Sequence, residues 1–374
     1  MPEPTALPAT LDLRAPDDTL RLTVLDIGAT WYRLQLRLPG LGAPREVLLR
    51  GADPAAHVRN TAYLGATVGR WANRIAHGRI TDPRNPSRQW TLARAPGHVH
   101  QLHGGPGGAS QRRWRIVQAD AHGATLALDS ADGDQGFPGA LQMGCTLRLE
   151  AGGRIVQTLS ATLAADAPAP SPVCLTNHAY FNLDGVPAEG PPTDVRDHRL
   201  RVAAAQWLPV NDTLIPLGAL APVDGSGFDL RAARLLREAH AGGDLDHAFL
   251  VAPAAGSPID TAGPHSTAAA PVTTNATANT VTAPTVAELG SADGRLRLAL
   301  GSTQPALQVY TGRWLDQEHG ADGRPLPAHA GIALEPQWLP DSPNHPEWPQ
   351  PDCWLAPGAT WTHTLVWDFA CPAD

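Results

Sequence analysis

The sequence contains no lysine: all 28 of its basic residues are arginine. Schiff-base chemistry on a lysine amine is therefore excluded, as is the phosphate-cradling lysine of a P-loop. Cysteine is scarce. Cys145, Cys174, Cys353 and Cys371 are scattered, with no C-x-x-C pair. That fits neither a disulfide framework nor a zinc site and leaves them as reduced packing residues. There is no basic excess to track a nucleic-acid backbone, since 28 basic residues face 36 acidic ones and the net charge is −8. No apolar run is long enough to span a bilayer, and Met1 to Leu20 lacks the basic and apolar regions of a secretory signal. The expectation is a cytoplasmic protein with no nucleic-acid or membrane partner. A G-x-S-x-G elbow, a Walker loop, a strand-following G-x-G-x-x-G and an H-E-x-x-H helix are also absent.

Chain breakers, by contrast, are plentiful. The 36 glycines and 37 prolines among 374 residues leave little room for long helices and favour short strands joined by turns. Period-two alternation of apolar and polar residues marks Leu20–Leu25, Trp31–Leu38, Cys145–Glu150, Arg295–Leu300 and Thr360–Trp367 as half-buried strands. One stretch, about Leu230 to Ala239, carries a helical pattern with Leu235 and Leu236 on one face. The prediction is an all-β fold, a large antiparallel sandwich forming one domain over residues 1–374. From Ala252 to about Pro284 the chain turns to Ala, Thr, Pro, Ser and Asn. It cannot bury enough surface there to offset its ordering entropy, so an exposed insertion is expected.

Five segments stand out chemically. Gly69-Arg70-Trp71-Ala72-Asn73-Arg74 sets fork-shaped and amide donors among small neighbours, as a hydroxyl-rich ligand requires, although a lone arginine is more often a surface ion pair. Leu102-His103-Gly104-Gly105-Pro106 puts an imidazole on a sharp turn where backbone can approach a ligand. Leu175 to Leu183 threads Thr176, Asn177 and His178 through an apolar strand-like run, which suggests a polar network; a satisfied core histidine is the alternative. Asp246-His247 and Gln308-Val309-Tyr310-Thr311-Gly312 form the fourth set. In the fifth, Glu335 lies in an apolar run, where a carboxylate needs partners or a raised pKa, ahead of a rigid Asp341-Ser342-Pro343-Asn344-His345-Pro346 turn. His98, His100 and His103 lie close together, but no thiolate or carboxylate recurs at a fitting spacing, so no metal site is expected.

Taken in order, these motifs resemble the aldose 1-epimerase (galactose mutarotase) family from about Leu64 to Pro349. The resemblance implies a β-sandwich of the galactose mutarotase type that needs no cofactor and interconverts the α and β anomers of a free hexose. It implies His178 as general acid, Glu335 as general base, and Asn73, Arg74, His103, Asp246 and Gln308 around the sugar hydroxyls. His178 is expected to be protonated and Glu335 ionised, with a neighbouring carboxylate holding the imidazolium. The implied partner is a small aldose, and the implied state a monomer or homodimer. The sequence departs from the family pattern at Arg313 (usually Asn), Pro336 (usually Thr) and Leu245 (commonly Tyr), and in the length of the 252–284 stretch. A hexose-6-phosphate mutarotase would use the same chemistry with clustered arginines at the mouth of the site. A non-catalytic sugar-binding protein would be expected to lack the acid or the base. A lyase or hydrolase on a similar scaffold would need paired carboxylates or a Tyr/Arg site.

Overall fold

A computed structural model describes residues 7–251 and 281–372. The 252–280 part of the expected insertion lies outside the described residues. Three antiparallel sheets organise the rest. A nine-stranded sheet runs, in spatial order, through Arg115–Ala119, Gly123–Ser130, Leu141–Glu150, Arg154–Leu163, Thr360–Ala370, Arg297–Ser302, Thr285–Gly290, Arg199–Val202 and Arg234–Leu235. A six-stranded sheet has the order Tyr180–Phe181, Ile332–Gln337, Ala306–Tyr310, Asp246–Val251, Ala204–Leu208, Ala221–Pro222. A four-stranded sheet holds Thr10–Arg14, Leu20–Leu25, Thr30–Leu36 and Arg45–Glu46. Among the described residues the one α-helix is the single turn Pro54–His57, and no helix is long and apolar enough to cross a membrane.

Alternation builds the core between these sheets. Leu20, Leu22, Val24 and Trp31 from the four-stranded sheet meet Leu147, Leu159 and Trp367 from the nine-stranded one. Leu307, Val309, Ile332 and Leu334 enter the same core from the six-stranded sheet. Successive side chains on a strand point to opposite faces, so Gln308, between Leu307 and Val309, and Glu335, next after Leu334, are turned away from that core. This parity positions the site. The cysteines are unpaired; Cys145, Cys174 and Cys353 are buried and act as small apolar residues.

All five predicted strands are present, Leu20–Leu25 with the expected bounds and the other four with shifted ends. Trp31–Leu38 becomes Thr30–Leu36, and Arg295–Leu300 becomes Arg297–Ser302, because Ser291 Oγ accepts the Leu296 N–H at 2.9 Å and draws those residues into a turn. The predicted helix at Leu230–Ala239 does not form. Arg234 and Leu235 instead pair with Leu200 and Arg199 at the sheet edge, and Leu236–Glu238 make one 3-10 turn. The Leu236 N–H donates to the His198 carbonyl rather than up a helix of its own, a case of tertiary pairing overriding local propensity.

Phe181 is fully buried, its ring centroid 5.2 Å from Trp367 and 6.2 Å from Phe369. Phe181→Ala should cost about 3–5 kcal/mol of stability, read as a lower denaturant midpoint at unchanged slope.

Candidate active site

Three adjacent strands of the six-stranded sheet present one polar face. Gln308 lies directly opposite Glu335, and Asp246 lies opposite Tyr310, two residues along from Gln308. The Gln308 Nε2–H donates to Asp246 Oδ1 at 2.6 Å, which leaves the Gln308 carbonyl oxygen buried and without a partner among the described residues.

His178 arrives from a break in the chain. Thr176–Asn177 pairs with Thr67–Val68, whereas Tyr180–Phe181 pairs with Ile332–Gln337, so the backbone changes sheets at His178 and Ala179. Asn177 fixes the crossing: its Nδ2 donates to the Gly65 carbonyl and its Oδ1 accepts the Ala179 N–H. The imidazole therefore points at the strand bearing the carboxylate, with His178 Nε2 3.5 Å from Glu335 Oε2. Both residues are almost wholly buried, and His178 Nδ1 and Glu335 Oε2 lack hydrogen bonds among the described residues.

The other wall comes from two interlocked loops. The Asn73 N–H donates to His103 Nδ1 at 3.1 Å, and the His103 N–H donates back to the Asn73 carbonyl. His103, Gly104 and Gly105 all take positive φ, and a Cβ on Gly104 would stand 1.8 Å from the Gly69 carbonyl oxygen. The glycine thus serves loop-to-loop contact, where the sequence suggested approach to a ligand. The His103 and His178 rings meet edge to face, with centroids 5.0 Å apart. Arg70 and Arg74 have separate tasks. Buried Arg70 donates to the carbonyls of Ser130, Ala131 and Gly139. The Arg74 guanidinium makes no hydrogen bond or ion pair among the described residues, and its charge acts on His103, Asp246 and Glu335. The Asp341 turn clamps this arginine's backbone: the Asp341 N–H donates to the Arg74 carbonyl, and Asp341 Oδ1 accepts the Ala76 N–H. All seven residues singled out from the sequence thus meet in one place.

Burial governs the protons. It lowers the His178 imidazole to about 4 and raises the Glu335 carboxyl well above its usual range, with Asp246 raising it further and Arg74 opposing. Burial therefore favours a neutral imidazole beside a protonated carboxyl over the ion pair expected from the sequence; desolvation outweighs the attraction. Asp246 is raised by burial against the pull of Arg74 and the Gln308 hydrogen bond. His103, His178 and Glu335 offer ligand atoms within 4.8 Å of one another, enough in number for a metal. Yet His103 Nδ1 already accepts a hydrogen bond, which places the proton of this neutral ring on Nε2 and makes that nitrogen a donor rather than a ligand. A surface cavity of about 240 Å³ beside Pro187, Asp322 and Arg324 shares no residue with this group and contains no imidazole.

The sequence model of the aldose 1-epimerase family matches residues 11–367. The chain belongs to the aldose 1-epimerase family. It is similar to the aldose 1-epimerase of Escherichia coli (strain K12), 39% identical over 356 residues that cover 93% of this chain and 91% of that protein. Human galactose mutarotase is 32% identical over 360 residues, covering 94% and 92%. Among solved structures, an aldose epimerase homologue from C. elegans superposes with a TM-score of 0.81 at 26% identity, covering 98% of this chain and 100% of that one. Galactose 1-epimerase from Lactobacillus acidophilus shares the fold, with a TM-score of 0.72 at 22% identity and the same coverage. The chain is an isomerase acting on carbohydrates, a mutarotase with a small sugar as substrate.

Sequence reading missed two contributors to this cluster. Tyr63 and Tyr180 lay their rings against His178, at 5.9 and 5.1 Å. Tyr180 was visible within the Leu175–Leu183 run, but nothing local distinguishes Tyr63.

Imidazoles withdrawn from water are held neutral: His103 is lowered well below its usual value, His57, His178 and half-buried His247 to about 4 and His363 to about 3, with desolvation the largest cause for each. Unfolded histidines titrate near 6.5, so below that pH the unfolded chain binds more protons. The stability these groups contribute is complete above about pH 6.5 and drains away as pH falls toward 4. Urea midpoints should drop steeply across that window, and His363→Gln should flatten the drop.

Proposed function

We propose that the mutarotase acts on a free hexose such as galactose or glucose, with His178 donating a proton to the ring oxygen and Glu335 removing one from the C1 hydroxyl. An anomer inverts only when the C1–O5 bond opens, C1–C2 rotates and the ring closes on the other face. The two oxygens concerned hang on a single carbon. The observation that carries this reading is the 3.5 Å approach of His178 Nε2 to Glu335 Oε2 in a nearly water-free place: neighbouring groups of this kind address neighbouring oxygens side by side, rather than from opposite faces of the sugar. Together they hold one proton, so the pair always offers one donor and one acceptor. Passing that proton from Glu335 to His178 produces the acid and base, a shift the Arg74 cation favours by stabilising the carboxylate. Ring closure returns both protons by the reverse path, with no net redox change and no cofactor or metal in any step.

Asp246, Gln308, Arg74, Asn73 and His103 take hydroxyl-binding roles in this reading; the partnerless Gln308 carbonyl and Arg74 guanidinium are supporting observations. The free-hexose form is favoured over a 6-phosphate because the Arg313 guanidinium is already paired with Asp244. A core shared by all three large sheets supports a single domain, and the unpaired cysteines suit a cytoplasmic setting.

Polarimetry of freshly dissolved α-D-galactose and α-D-glucose tests the assignment. Glu335→Gln and His178→Asn should each lower kcat by about 10²–10⁴-fold with KM nearly unchanged and the circular dichroism intact. A near-normal rate in either variant removes that residue from its role, and preference for glucose 6-phosphate would overturn the free-hexose assignment.

A further inference from the structure

Tyr63 stands in a left-handed backbone conformation, φ +58°, that costs a residue with a Cβ roughly 1–2 kcal/mol. The surrounding loop is built to hold it there. Glu318, itself buried, accepts both the N–H and the hydroxyl of Thr61 at 2.7 and 2.6 Å. Asn60 Oδ1 accepts the Leu64 N–H, the Ala66 N–H donates to the Tyr63 carbonyl, and His57 Nε2 lies 2.9 Å from the Leu64 carbonyl oxygen. The pinned ring lies 4.6 Å from His103 and 5.9 Å from His178, centroid to centroid. Its hydroxyl makes no hydrogen bond to any described residue; the residue is half-buried, the oxygen is not sealed from solvent, and Arg74 is the cation acting on it. Strain, a pinned loop and a hydroxyl left open to an incoming molecule beside two site imidazoles are hard to account for by packing alone.

We infer that Tyr63 is a sugar-contacting residue of this site, its hydroxyl bonded to one hydroxyl of the pyranose while its ring holds His103 and His178 in place. The inference rests on the site assignment above and adds a specificity element to it. A ring braced by Glu318 and Asn60 gives the contact a fixed direction, so it recognises a hydroxyl at one ring position and not its neighbours.

Anomerisation kinetics of Tyr63→Phe provide the test, with galactose, glucose and their monodeoxy derivatives as substrates. KM should rise about 3- to 10-fold at a kcat within roughly twofold of the parent, the effect of one neutral hydrogen bond. For one monodeoxy sugar, lacking the partner hydroxyl, the variant and the parent should share the same KM. A purely structural tyrosine would move every sugar alike. An unchanged KM, or a rise of equal size for all the deoxy sugars, overturns the inference. Asp246→Ala, assayed in parallel, separates the two levels. If it raises KM while Tyr63→Phe does not, the inference about Tyr63 alone falls; if neither variant changes KM, the site assignment falls with it.

Discussion

Glu335 and His178 stand 3.5 Å apart where solvent scarcely reaches, and the surroundings answer the demands of that contact. Two charges there would each lose most of their hydration, so burial favours the neutral form of the pair. A reactive pair needs help to separate charge, and Arg74 is placed for it: the one cation that acts on Glu335, with no ion-pair partner of its own among the described residues. Asp246 works in the opposite sense, raising Glu335 further. A carboxyl so balanced responds to a ligand that rearranges its neighbours by small distances. Tyr63, Tyr180 and the Asn177-anchored crossing keep the imidazole from swinging off its target.

Much of this was legible in the sequence because the fold obeys a period of two. Leu307, Val309, Ile332 and Leu334 are apolar since they face the core, and Gln308 and Glu335 interrupt them since they face the site. A carboxylate in an apolar run was therefore a usable signal. The helix expected at Leu230–Ala239 failed because its leucines serve a sheet edge and a turn, and ten residues of pattern cannot tell a helix face from such an edge. The ion pair expected of His178 and Glu335 is disfavoured for a related reason. Residue types identify the pair, but the depth of burial, which decides where the proton rests, belongs to the assembled sheets. The Asp341 turn could be read as rigid, yet its grip on the Arg74 backbone joins positions 267 residues apart, and no local pattern reports that.

Four of the eleven left-handed non-glycine residues among the described residues fall in the same region. Tyr63, Asn73, His103 and Asp341 all adopt left-handed φ without being glycine, and each is braced by neighbouring side chains or by another of the four. Conformations of this kind persist only when the surroundings over-determine them. Here the bracing runs between loops: Asn73 to His103, Asp341 to Arg74, Glu318 to Thr61. Rigidity of the site is thus a property of the contacts among loops and only secondarily of the sheet beneath them.

The lining of the site has one more chemical consequence. Ring opening exposes an aldehyde, which condenses readily with primary amines. The groups gathered around it are guanidinium, imidazole, amide, phenol and carboxyl, and the whole sequence holds no lysine. With the positive charge carried by a guanidinium that stays protonated, the open-chain sugar meets electrostatic stabilisation without a side-chain nucleophile able to capture it as an imine, and it is left free to close again on either face.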